Sequence, residues 1–436
     1  MKKNKSGFTL IELLAVIAIL AIILVISIPK ILDVIETSKI NTLKNTAQLI
    51  ADSAEKKYTE NEAFLEEEEI TCDSVSKLNK EDYSKCTIIF DENGIAKVSI
   101  LGRGKFKGLK VIEATKTSAE VIEVEAPKYG ITAVEYINGL YEYYGDSYNL
   151  KIDNTPDENT RYYGSNPNNY VSFNNELWRI IGVFEDNVKL VRKDNLGWLS
   201  WDSSDLTINR GYGINQWGES IDEDGNEYAG ADLQIYLNKM YYGGDTTLSC
   251  YDGPKNSIKV CPKDSKDNFL KLDETAKSLI DNYKWNINSI ELDMKSNTLL
   301  FYSAERGTTS GKNCTGSYCN DTIIRTTEWT GYVALPYVTD WAYASENSIC
   351  ETNMQAQDSS NNYICKNNNW MQKNGWFLSP IKNVAISTWF INTGSIGSNY
   401  SPSPLSFFPT IYLKSNVQVI DGNGTSSNPY ILKLGN

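Results

Sequence analysis

Residues 8–28 form a predominantly apolar run in which Glu12 is the only charged side chain. As a helix the run is about 31 Å long, enough to cross a hydrocarbon core of about 30 Å. Lys2, Lys3 and Lys5 precede the run and no basic residue lies within it. The positive-inside bias therefore places the N-terminus in the cytoplasm and everything after Pro29 on the other side. A carboxylate in a membrane helix costs roughly 2.5–3.5 kcal/mol at the helix centre and less toward an end. The run supplies no basic partner for Glu12, so one is expected from another molecule or from a new chain terminus.

Gly7, Phe8, Glu12 and Pro29 together make this stretch resemble the N-terminus of type IV pilins and pseudopilins. The resemblance covers about the first 55 residues. It implies cleavage by a prepilin peptidase after Gly7, methylation of the new Phe8 terminus, and pairing of Glu12 with the terminal amine of a neighbouring subunit. Pro29 takes the place of the helix-bending proline of many pilins. A plain signal anchor with an accidental Glu12 is the alternative. An ordinary signal peptide fits less well, because the apolar run is too long and no small-x-small site follows it.

The chain has 436 residues, a length that accommodates two or three domains. Its formal charge is −13, and removal of residues 1–7 with their three lysines takes it to −16. That balance argues against broad nucleic-acid binding, which needs clustered Lys and Arg. There is no histidine, which removes the commonest general base and the commonest metal ligand. The eight cysteines follow one another as Cys72 and Cys86, Cys250 and Cys261, Cys314 and Cys319, Cys350 and Cys365. An even number in an exported chain reads as disulfides, and the short spacings favour sequential pairing. Zinc is the alternative, although no Cys-x2-Cys knuckle is present.

Beyond Pro29 the pattern turns amphipathic, with Ile35, Leu43, Ala47, Ile50, Ala54 and Tyr58 at helical spacing up to about residue 61. Residues 87–90 and 95–101 flank Asn93-Gly94 and read as a hairpin, with further strands at 109–113 and 119–124. The pilin resemblance implies a long helix packed on this small antiparallel sheet. After about residue 127 the composition changes, and all ten tryptophans lie at or beyond Trp178. Residues 175–184 and 188–193 form a second hairpin signal. Short helices are expected at 136–144, along Leu233, Tyr236, Leu237 and Met240, and along Leu272, Ala276, Leu279 and Tyr283. Short strands are expected at 376–379, 388–391, 410–414, 417–420 and 430–433.

The block from Leu177 to Leu434 resembles secreted bacterial modules related to C-type-lectin-like and formylglycine-generating-enzyme-like folds. The residues that carry this are 177–182 (LWRIIG), 231–238 (ADLQIYLN), 376–380 (WFLSP) and 409–414 (PTIYLK). The resemblance implies an irregular antiparallel sheet with two helices and long loops, and brings no active site with it. Asp222, Asp224 and Glu227 around Gly225 invite a calcium reading but lack a full calcium-loop pattern, and an acidic surface turn is the simpler account. The glycine loops and serine elbows of nucleotide-binding and hydrolytic sites are absent. Trp198, Trp201, Trp217, Trp341, Trp370 and Trp376 could line a glycan or protein site, or could fill a core.

The expected fold class is α+β: a pilin helix on a small antiparallel sheet, then a large, mainly antiparallel β domain with short helices. The expected organisation is a leader at 1–7, a membrane and filament helix at 8–62, a pilin head at 63–127 and a large extracellular domain at 128–436. The expected protein is a non-enzymatic minor or tip subunit of a pilus-like filament. It would need no cofactor and no metal. Its partners would be the peptidase, other pilin subunits, the membrane through residues 8–28, and a glycan or protein ligand on a surface. A pseudopilin of a secretion or DNA-uptake machine, or a membrane-anchored surface-binding module, is the alternative.

Overall fold

A computed structural model describes residues 10–64, 68–79, 81–203, 214–254, 257–308, 311–314 and 321–435. The chain divides into two compact units. The first comprises Met1–Ala126 with Glu142–Gly145, the second Pro127–Tyr141 with Asp146–Asn436.

In the first unit, helix α1 (Leu10–Phe64) runs without a break through Pro29. Its C-terminal part buries Leu43, Ala47, Ile50, Ala51 and Ala54. Steps of three and four place these side chains on one face. Ile35, expected on the same stripe, is exposed. The short helix α2 (Cys72–Val75) is capped by Thr71, whose hydroxyl accepts from the Ser74 N–H. Four antiparallel strands follow in sequence order: β1 (Tyr83–Phe90), β2 (Ala96–Gly102), β3 (Leu109–Ala114) and β4 (Val121–Glu123). The side chains of Ala96, Val98, Ile100, Phe106, Leu109 and Val111 complete the core against α1. The Asn93-Gly94 signal is the β1–β2 turn. Asp91 Oδ1 accepts from the N–H groups of Asn93 and Ile95, and Gly94 has a φ of +73°. A Cβ on Gly94 would lie 2.9 Å from the Tyr58 ring, so glycine is required there for space as well as for conformation. That ring stacks on Phe90 with centroids 4.7 Å apart.

Helix α3 (Ala133–Tyr144) begins three residues earlier than the expected 136–144, and all but its last three residues belong to the second unit. The strands β5 (Leu150–Ile152), β6 (Thr160–Tyr162), β7 (Tyr170–Phe173), β8 (Glu176–Phe184) and β9 (Asn187–Arg192) lie in one eight-stranded sheet. Its main path runs Thr410–Tyr412, β9, β8, β7, Tyr430–Leu434, Val417–Asp421, with β6 also pairing β8 and β5 pairing β6. The β8–β9 hairpin is the one expected around residues 185–187. The C-terminal strand Tyr430–Leu434 is parallel to β7, the exception in an otherwise antiparallel sheet.

Two expected helices change form. Asp232–Ile235 is α-helical, but Tyr236–Tyr242 continues as a π-helix. Glu274–Leu279 is capped by Asp273 and stops at the extended Ile280, so Tyr283 belongs to the strand Tyr283–Asn286 instead.

Candidate assembly site

The N-terminal half of α1 has the opposite character to its C-terminal half. Leu10, Ile11, Leu14, Ile17, Ile19, Ile22 and Val25 are all exposed, from 57% upward. The span meets the length and composition needed to cross a membrane. Glu12 lies in the first turn of the described helix, exposed among these side chains. Pro29 cannot donate to the Val25 carbonyl, an interruption that costs about 3 kcal/mol in a helix interior. Gly7 and Phe8, the expected processing residues, lie outside the described residues.

Three expected disulfides are present: Cys72–Cys86, Cys250–Cys261 and Cys350–Cys365. Cys314 is also disulfide-bonded, and Cys319 lies outside the described residues. Cys72–Cys86 ties α2 to β1 in the first unit. Among the described residues no cluster of three or more His, Cys, Asp or Glu has the geometry to hold a metal ion. Asp222, the centre of the calcium reading, closes a turn. It accepts from the N–H groups of Asp224 and Asn226, the Asn226 amide and the Tyr228 hydroxyl, which hold its pKa below the usual value.

The tryptophans resolve into core rather than an open aromatic surface. Trp201, Trp217, Trp341 and Trp376 are at most 1% exposed and Trp370 is 6% exposed, so none presents a free face. Trp198 alone of the six is open, at 54%. The reason is the size of the unit: large rings fill the space between short, irregular elements.

A buried charge network was invisible in the sequence. Arg161 on β6 donates through Nε to Asp153 at 2.5 Å and through Nη1 to Asp340 at 3.1 Å. Lys189 on β9 donates to the other Asp340 oxygen at 2.5 Å, and all four side chains are essentially inaccessible to solvent. Asp340 also accepts the Tyr337 N–H at the start of the helix Val338–Tyr343. Burial pushes the Lys189 ammonium down to about 8, against the opposing pull of Asp340. Nearby, Glu305 accepts from the Thr339 N–H and hydroxyl, and burial raises its pKa to about 7. Every carboxylate here is committed to a donor. The network joins β6, β9 and the helix Val338–Tyr343 within the second unit.

No curated protein and no solved structure matches the chain. Residues 2–28 match one family, the prokaryotic N-terminal methylation motif. This span includes Gly7, Phe8 and Glu12 and most of the uncovered half of α1. The motif implies processing by a prepilin peptidase and assembly with pilin subunits, from a precursor anchored in the membrane by its apolar helix. The chain therefore carries the N-terminus of a type IV pilin-like or pseudopilin-like protein.

Proposed function

We propose that this chain is a minor or tip subunit of an extracellular type IV pilus-like filament, with its second unit displayed as a binding domain. The observation that carries the reading is the continuity of α1. One helix joins the predominantly apolar part of a methylation-motif segment to a face buried in a folded head. The precursor sits in the membrane with its N-terminus inside. Cleavage after Gly7 frees Phe8, and Glu12 neutralises the incoming amine and fixes axial register in the filament core. The size of the second unit supports a minor or tip position, because subunits repeated closely along a core leave little room for it. The resemblance to secreted lectin-like modules supports adhesion as its role.

Display rather than catalysis is supported by the absence of histidine and by the engagement of the buried carboxylates with Arg161, Lys189 and Thr339. The runner-up is a pseudopilin of a secretion or uptake machine. The test is to shear surface filaments from cells, detect the chain in the sheared fraction and determine its N-terminal mass. Methylated Phe8 in filaments supports the reading. Envelope-bound chain absent from filaments favours the pseudopilin, and an N-terminus at Met1 in assembled material overturns both.

A further inference from the structure

The second unit contains an open cleft of about 670 Å³ whose construction differs from its surroundings. One wall is the helical segment Asp232–Ile235 and its continuation Tyr236–Tyr242, which contribute Gln234, Asn238, Lys239 and Tyr242. The opposite wall is the strand Glu328–Gly331 and the residue after it, which contribute Trp329 and Tyr332. A π-helix is rare and is found mostly as single-turn bulges inside α-helices, frequently at functional sites. Here seven residues adopt it, three of them lining the cleft.

The two amides of this wall are used differently. Asn238 is committed to the scaffold. Its oxygen accepts the Tyr332 and Val333 N–H groups, and its nitrogen donates to the Gln234 and Val333 carbonyls. It thereby fixes the two walls to each other. Gln234 is 6% exposed, lines the cleft, and its carboxamide makes no hydrogen bond with any described residue. The carboxamide lines the cleft with its hydrogen-bonding capacity unused by any described residue, a donor and acceptor open to something that enters. Tyr242 and Tyr332 stack in parallel, with centroids 4.0 Å apart, and are half-buried at its side.

The chemistry of the lining narrows the occupant. Glu219 and Asp245 carry two negative charges and Lys239 one positive charge, a balance that disfavours phosphate or another anion. Polar and apolar surfaces are mixed, with no deep apolar pit to seat a lipid chain or a hydrophobic side chain. Paired rings, a spare amide and carboxylate acceptors suit a neutral, hydroxyl-rich molecule. We propose that this cleft binds a neutral saccharide, held by the Gln234 carboxamide and Lys239 and flanked by the Tyr242–Tyr332 pair. The proposal rests on the reading of the second unit as a displayed binding domain, and gives that domain a ligand class.

The experiment uses the mature full-length chain in detergent. Neutral mono- and disaccharides are titrated one by one, with N-acetylneuraminic acid and inorganic phosphate as anionic probes. Binding is read by calorimetry and by tryptophan emission, which Trp329 makes sensitive to the cleft. At least one neutral saccharide should saturate the chain. Lys239→Ala and Tyr332→Ala, both at accessible positions, should each weaken it about tenfold with an unchanged circular dichroism spectrum. Gln234→Glu, which keeps the shape, should weaken it too. No saturable saccharide binding, binding of the anionic probes alone, or undiminished affinity in all three variants overturns the proposal. The sheared-filament assay is scored on the same chain. Filament incorporation without saccharide binding removes only the cleft inference, and saccharide binding without incorporation removes only the filament reading.

Discussion

The two halves of α1 share a backbone and differ in what surrounds them. From Leu43 to Ala54 the buried residues keep to one face, and the sheet of the first unit covers that face. From Leu10 to Val25 the helix is apolar all round apart from Glu12, and no described residue covers it. A helix of the first kind is explained by its own fold. One of the second kind needs another apolar medium, such as lipid, or other copies of itself. The difference shows that a single helix can be completed by its own chain at one end and by its surroundings at the other.

The largest expected effect breaks the comparison at the uncovered end. Gly7→Glu should abolish cleavage, seen as unprocessed precursor by mass spectrometry. Glu12→Val should insert in the membrane at least as well as the native chain, because it removes a costly charge, and yet vanish from sheared filaments. Normal filament yield from Glu12→Val would remove its pairing role.

The same chemical change in each half sharpens the contrast. Ile50→Ala opens the head core and should cost about 2–5 kcal/mol in denaturant unfolding of the chain in detergent. Ile17→Ala, at an exposed position, should stay within about 0.5 kcal/mol by the same measurement. Equal effects would mean that the head does not depend on the buried half as described.

A third prediction sets Glu305, a carboxylate enclosed by protein, beside Glu12. Its pKa is raised from the ordinary 4.5 to about 7 by burial, so the folded state holds its proton more tightly than the unfolded state. Stability from this group is therefore fully present below pH 4.5 and is lost as pH rises to about 7. The loss is at most about 3 kcal/mol. Glu305→Gln should flatten that slope in pH-dependent unfolding. Asp153 and Asp340, whose pKa values are held down, act at the acid end and should leave the window between pH 4.5 and 7 unchanged. Removing Cys72 and Cys86 together by Ser should cost about 2–3 kcal/mol of head stability. Thermal unfolding under non-reducing conditions measures it.

What could be read from the sequence was what neighbours along the chain encode. The period of Leu43, Ala47, Ile50 and Ala54 marked the packed face, Asn93-Gly94 marked a hairpin, and the β8–β9 pairing was evident from two apolar runs flanking the turn at 185–187. The pairing of β7 with Tyr430–Leu434 was not legible, because no local pattern names a partner some 260 residues away. The charge network was hidden for the same reason: Asp153, Arg161, Lys189 and Asp340 come from separate elements, and each looks like a surface residue in isolation. The change to a π-helix at Tyr236 leaves the apolar spacing nearly intact, so periodicity could not reveal it. Aromatic richness was visible, but whether a ring faces inward depends on long-range packing, and five of the six tryptophans first read as candidates for a surface turned inward.

The covalent staples have a consequence for how such a chain is made. The three described bridges join cysteines 14, 11 and 15 residues apart. A chain threaded outward from a membrane anchor emerges in order, N-terminal segments first. A bridge that spans so few residues has both of its sulfurs outside almost as soon as the first appears. Each can close before the next cysteine pair has left the membrane, so wrong partners are scarce at the moment of oxidation. Export and oxidation can then proceed in step, with each short segment secured before the long-range sheet that needs the C-terminal strand has been delivered.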